Sequence, residues 1–163
     1  MAFKCEKCGL YKTNETIFFP KIILGKTYKI IFVIDAYSTD KLHSKEVFLL
    51  KYLLDDINTK KEDCIIVPIL FCAPKTKEGA FRTPLLPEYL GCSLNIDKVV
   101  RTSKARLVVV LGNDIEKKYR LPTSFEPAVS IVKFMSLHAI AKDGGVKSSY
   151  YDTILTKIRK ELK

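Results

Sequence analysis

The chain has 163 residues, 47% of them hydrophobic and 28% charged, which fits one ordinary globular domain with its own core. No apolar run reaches the roughly 18 residues of a membrane span, and MAFKCEKCG lacks the long apolar region of a secretory signal. A cytoplasmic protein, of a bacterium or of an infected host, is therefore expected. The formal net charge is +10, and a small domain this basic points to a polyanion, nucleic acid first. The alternatives are a basic surface kept for solubility and, more weakly, acidic lipid; no basic amphipathic helix stands out.

In chain order the first feature is a Cys5-Glu6-Lys7-Cys8 pair in a short arm, flanked by Lys4 and Lys12. Residues 28–36 (YKIIFVIDA) form the first β-branched apolar run. Residues 45–57 follow as a predicted helix, with Val47, Phe48, Leu50, Tyr52, Leu53 and Leu54 as its apolar positions. Residues 64–71 (CIIVPILF) predict a second strand, with Pro68 inside it, and 86–100 a helix after a Pro-flanked start. Residues 106–111 (RLVVVL) predict a third strand, stopped by Gly112, and 113–119 a short helix. Residues 129–134 (VSIVKF) predict a fourth strand. The last helix spans 149–162, with Tyr151, Ile154, Ile158 and Leu162 at spacings of three and four. Ser148 and Ser149 stand ready as N-caps, with Asp152 in the first turn.

Continuous apolar strands alternating with helices predict an α/β, three-layer sandwich around a mostly parallel four-stranded sheet, in one domain over 1–163. In such folds ligands bind beyond the carboxyl ends of the strands. That rule selects Asp35, Ala36 and Tyr37 after the first strand, and residues 72–76 after the second. It adds Gly112 and Asn113 after the third, and Ser136, Leu137 and His138 after the fourth.

Five cysteines occur: Cys5, Cys8, Cys64, Cys72 and Cys92. In a reducing compartment an odd number does not form a disulfide framework. It reads as four ligands with one spare, or as five small buried residues. Four thiolates from an arm, a strand end and a helix suit zinc or an iron–sulfur cluster.

The order of features adds a resemblance that covers nearly the whole chain. Its best parts are Cys5-Glu6-Lys7-Cys8-Gly9-Leu10, Cys72-Ala73-Pro74, and Thr83-Pro84 with Pro87-Glu88-Tyr89-Leu90-Gly91-Cys92. Leu107-Val108-Val109-Val110-Leu111-Gly112 and the late His138 complete it. Together these resemble the iron–sulfur branch of the uracil-DNA glycosylase superfamily, family 4. The resemblance implies a 4Fe-4S cluster on Cys5, Cys8, Cys72 and Cys92, with zinc as the alternative metal and Cys64 as the spare thiol.

The resemblance also implies an active site. Asp35 stands where the family carries a glutamate that activates or positions water at the sugar carbon. Its alternative role is to cap the following turn. His138 stands where the family's histidine donates to the developing anion on the base; taken alone, a loop histidine is more often structural. Ala36, Tyr37 and Asn113 are the expected base-pocket residues, with Tyr37 as a stacking or blocking face. Two family elements are missing. Residues 40–45 offer no stacking aromatic beyond the imidazole of His43, and Pro68 falls where an asparagine would read uracil. Loss of that polar readout predicts loss of uracil selectivity.

Lys75, Lys77 and Arg82, between Cys72 and Cys92, and Lys142 and Lys147, around Gly144-Gly145-Val146, are the expected DNA-binding residues. The glycine pair predicts a mobile loop where the family inserts a wedge, with Val146 as a modest wedge. The resulting expectation is a DNA-binding iron–sulfur protein with weak or no glycosylase activity, accessory to DNA replication or repair, viral assemblies included. The alternatives are an active glycosylase of altered choice and a metal-stapled module that binds a protein.

Overall fold

The computed structural model describes residues 5–13, 19–37, 44–112 and 129–163. Four parallel strands form one sheet: β1 (Ile30–Tyr37), β2 (Cys64–Leu70), β3 (Leu107–Leu111) and β4 (Ser130–Phe134). Their order is β2-β1-β3-β4. Ile30 lies opposite both Cys64 and Leu107, and Leu107 lies opposite Ser130. β1 and β3 are central and buried on both faces, which explains their unbroken apolar sequence. Pro68 is tolerated because β2 is an edge strand with β1 as its single neighbour.

Helices cover both faces of the sheet. On one side lie α1 (Ser44–Asp56), α3 (Leu137–Lys142) and α4 (Ser149–Glu161). They bury Leu49, Leu53, Ile140, Ile154 and Ile158 with Ile30, Phe32 and Ile34 of β1. On the other side α2 (Leu86–Ser103) packs Tyr89, Ile96, Val99 and Val100 against Ile31, Val33, Ile65 and Val67. The alternation along β1 thus divides the apolar residues between two cores, and the predicted helix–sheet–helix layering is observed. Among the described residues no helix is long and apolar enough to cross a membrane.

The predicted elements fall within a few residues of the observed ones, with three differences. Tyr28 lies before β1 and anchors the preceding loop: its N–H donates to Ser103 O, and its hydroxyl accepts from Ile23 N–H. α2 continues to Ser103, three residues beyond its predicted end. His138 is not on a loop. It sits in the first turn of α3, whose N-cap Ser136 accepts from Ala139 N–H. Six residues are too few to show helical periodicity in sequence. The glycine segment beyond it forms a 3-10 turn over Gly145–Lys147, entered through Gly144 at φ 115° and Gly145 at φ 65°, which only glycine adopts freely. The predicted helix over 113–119 lies outside the described residues. Ser148 caps α4 as expected, accepting from Tyr150 N–H, and also donates to Asp143.

The chain runs from β1 out to β2, then returns past β1 to β3. The crevice beyond the carboxyl ends of β1 and β3 is therefore the topological switch point, where open parallel sheets bind ligands. Ile34 pairs with Leu111 there, so Asp35 and Gly112 border the crevice.

Candidate metal centre and sheet-edge site

After β2 the chain stays inside the protein: Phe71, Cys72, Ala73 and Pro74 are all buried. Cys92 lies on the buried stripe of α2, between Tyr89 and Ile96, at helical spacings of three and four. The N-terminal arm reaches the same place. Its 3-10 turn, Gly9–Thr13, is anchored by Leu10, which is 2% exposed. The arm lies directly on α2 at Gly91, where an added Cβ would meet Lys7 O at 3.0 Å and Cys8 Cβ at 3.3 Å. Glycine beside Cys92 is thus what lets the arm backbone come close.

The thiols sense one another. Burial first, then the charges of Cys8 and Cys5, push the Cys72 thiol up to about 12. Cys92 is also pushed up to about 12, by burial and then by Cys72, Cys8 and Cys5, against the lowering effect of the Phe71 N–H. Burial raises Cys8 as well, with Cys5 adding to it. Cys8, Cys72 and Cys92, with Cys5 beside them, therefore share one electrostatic environment, in which a bound cation would favour the thiolate forms. Cys64 stands apart at the start of β2. Its thiol, raised to about 11 by burial and Asp63, answers to Lys29, Glu62 and Lys26, none of them part of the four-cysteine group.

Three N–H groups point at these sulfurs. Phe71 N–H donates to Cys92 Sγ and Asn95 Nδ2 donates to Cys5 Sγ, each at 3.2 Å, and Leu10 N–H bonds Cys8. Such donors disperse thiolate charge and fix ligand orientation. The donor set and its hydrogen bonds fit a thiolate-bound centre. Among the described residues no three Cys, His, Asp or Glu side chains close around a single ion.

At the sheet edge the expected pair is differently served. Asp35 is exposed near the end of β1, where the register shifts between Ile34 and Tyr37. Ala36 and Tyr37 continue the strand, and Asn113 lies outside the described residues. His138 lies beyond β4, on the same edge of the sheet and two strands away. Its ring is held by a residue that the sequence reading missed. Glu46 Oε1 is 3.2 Å from His138 Nδ1, and the glutamate is buried in the first turn of α1. Acidic residues suit a helix start. With Nδ1–H donating to that carboxylate, the ring tautomer is fixed, and Nε2 is an acceptor when the ring is neutral and a donor when it is protonated. The available signal was spacing, since Glu46 shares the i, i+3, i+4 stripe of the buried Leu49 and Leu50.

No protein-family model matches this chain, and no curated protein matches it. The functional reading therefore rests on the residues themselves.

The basic residues divide into two groups. Lys77 is exposed in the turn after Cys72, and Lys75 lies over the Phe81 ring at 5.8 Å. Arg82 is already engaged: its guanidinium forks onto the Glu88 carboxylate and also donates to Thr83 O. Lys142, which lines a trough with His138, and Lys147, at the end of the glycine turn, are both exposed. A larger groove of about 710 Å³, between α1 and edge strand β2, opens at Asn58, Lys60 and Glu62. These residues lie at the opposite, amino end of the strands, away from the switch point.

Proposed function

We propose that this chain is a diverged DNA-binding protein of the uracil-DNA glycosylase type, built around a 4Fe-4S cluster and accessory to DNA replication or repair. The observation that carries the reading is the packing of the arm on α2, with Cys8 against Gly91 and Cys5 bonded by Asn95, beside Cys92 and the strand end that carries Cys72. These are the four cysteines that the resemblance assigns to the cluster, and Cys64 is left out as it requires. When bound, the cluster would staple the arm to the sheet. The chain's own residues would do the rest: Phe71, Asn95 and Leu10 hold the sulfurs, and Lys75 and Lys77 present charge beside the centre to phosphates.

The pocket supports weak or absent base excision. Asp35 and His138 keep the acid and imidazole types, but the amide that would read uracil is replaced by Pro68, which is built into β2 opposite Ile34. The Glu46–His138 pair favours the second reading, an active glycosylase of altered choice, because a carboxylate orienting an imidazole suits stabilisation of a departing anion.

The test is duplex DNA binding across a salt series, alongside base release. Affinity should fall steeply with salt, and Lys75→Ala with Lys77→Ala should flatten that slope by about one per lost phosphate contact. Weak, salt-independent binding would overturn the nucleic-acid reading in favour of a protein-binding module. Robust release of uracil or hypoxanthine would replace the accessory role by the enzymatic one.

A further inference from the structure

α1 carries an apolar face that neither core uses. Phe48 is 60% exposed and Tyr52 is 51% exposed. They stand one helical turn apart on one side of the helix. With Leu49, Ala141, Val146 and the glycine turn they line a shallow trough of about 380 Å³. That trough adjoins a second one, of about 450 Å³, which holds Glu46, His138 and Lys142; Lys45 and Ala141 belong to both. A continuous path therefore runs from the imidazole at the sheet edge to two exposed aromatic rings.

The exposed charged residues that line this path are lysines. Lys45 lines both troughs and Lys142 lines the second, and both are exposed. The path's carboxylate, Glu46, is buried against His138, and the nearby Asp143 accepts from Ser148 Oγ. Flat aromatic faces set between lysines match a ligand with anionic links and exposed planar bases. A duplex hides its base faces in the stack, whereas a single strand exposes them. We infer that the trough along α1 binds single-stranded nucleic acid, with Phe48 and Tyr52 stacking on successive bases and Lys45 and Lys142 meeting the phosphates. This rests on the DNA-binding reading above and specifies a surface and a strand state for it.

The test uses the full-length protein with a fluorescein-labelled oligothymidylate and a labelled duplex of the same length. Phe48→Ala with Tyr52→Ala should weaken oligothymidylate binding by about tenfold per ring, leave duplex binding nearly unchanged, and keep the same salt slope. Both rings are exposed and alanine favours helix, so folding should persist, as circular dichroism will check. Phe48→Trp should restore the affinity, and Leu94→Ala, which trims an exposed apolar residue on α2, should have no effect. Ultraviolet cross-links should map to Phe48 or Tyr52. Unchanged oligothymidylate affinity in the double variant, with binding to both probes intact, overturns the trough assignment alone. Failure of the unaltered protein to bind either probe at low salt overturns the DNA-binding reading and the trough with it.

Discussion

Asn95 Nδ2 donates to Cys5 Sγ at 3.2 Å, joining the buried middle of α2 to an arm residue 90 positions earlier in the chain. Asn95 is 3% exposed, so this side chain has little water to turn to. A buried polar side chain is destabilising unless paired, and here the partner is a candidate metal ligand.

Asn95→Ala should loosen the arm by about 1 kcal/mol, the usual net worth of one hydrogen bond. Asn95→Asp should do more, because it sets a carboxylate against a thiolate. The measurement is the rate at which metal is lost to a chelator, expected to rise from the native protein to Asn95→Ala to Asn95→Asp. Equal rates for all three would show that Asn95 does not support Cys5.

Gly91 allows a second test of the same junction. A methyl there would press on Lys7 O and Cys8 Cβ, at a cost of about 1–3 kcal/mol. Replacing a helical glycine by alanine returns about 1 kcal/mol to the helix. Gly91→Ala should therefore leave the thermal midpoint unchanged or lower it by a few degrees, and make the arm sensitive to limited proteolysis. An arm as resistant as in the native protein would mean that it packs elsewhere.

The fork between Arg82 and Glu88 sets a pH dependence. Burial alone would raise the Glu88 carboxyl, but Arg82 and the Leu85 N–H hold it below its ordinary value. A depressed folded value means stability that is complete above the unfolded carboxylate range and lost as pH falls through the folded value. Arg82→Ala should lower stability at neutral pH by about 1–2 kcal/mol, the lower part of the range for an orphaned buried acceptor, since the Arg82 position is 31% exposed to water. It should also weaken the acid dependence, as read from urea midpoints across acidic and neutral pH. An unaltered acid limb would assign that dependence to other carboxylates.

Strand positions, the parallel arrangement and the long helices were legible because continuous β-branched runs and helical stripes repeat over enough residues to be seen. The short α3 was not, and it changes the setting of His138 from a loop to a capped helical turn. The face of α1 was legible only in part. Val47, Phe48 and Tyr52 read as core residues by their chemistry, yet all three are exposed, because Glu46, Leu49, Leu50, Leu53 and Leu54 form the stripe that meets the sheet. Composition does not reveal that a glutamate belongs to a buried stripe. Arg82 reads as free charge until Glu88, six residues later, is placed against it by the turn before α2.

Pro68, standing where an amide would read uracil, predicts little or no base release. Assays on single-stranded and duplex oligonucleotides carrying uracil or hypoxanthine, followed by alkaline cleavage at abasic sites, should give no robust turnover. Any trace activity should vanish in Asp35→Asn and His138→Ala, and fall in Glu46→Gln, which keeps the shape but removes the charge that orients the ring. Activity unchanged by Asp35→Asn and His138→Ala would remove both residues from the chemistry.

The most direct test of the account is the metal itself. Protein purified without oxygen should be brown, with about four irons and matching sulfide per chain. Cys5→Ala, Cys8→Ala, Cys72→Ala or Cys92→Ala should each abolish or greatly reduce the visible absorbance, and Cys64→Ala should leave it intact. A colourless zinc protein would keep the four-thiolate staple but remove the iron–sulfur kinship. A colourless, metal-free protein that folds fully, arm included, would contradict the central claim that Cys5, Cys8, Cys72 and Cys92 form one metal centre.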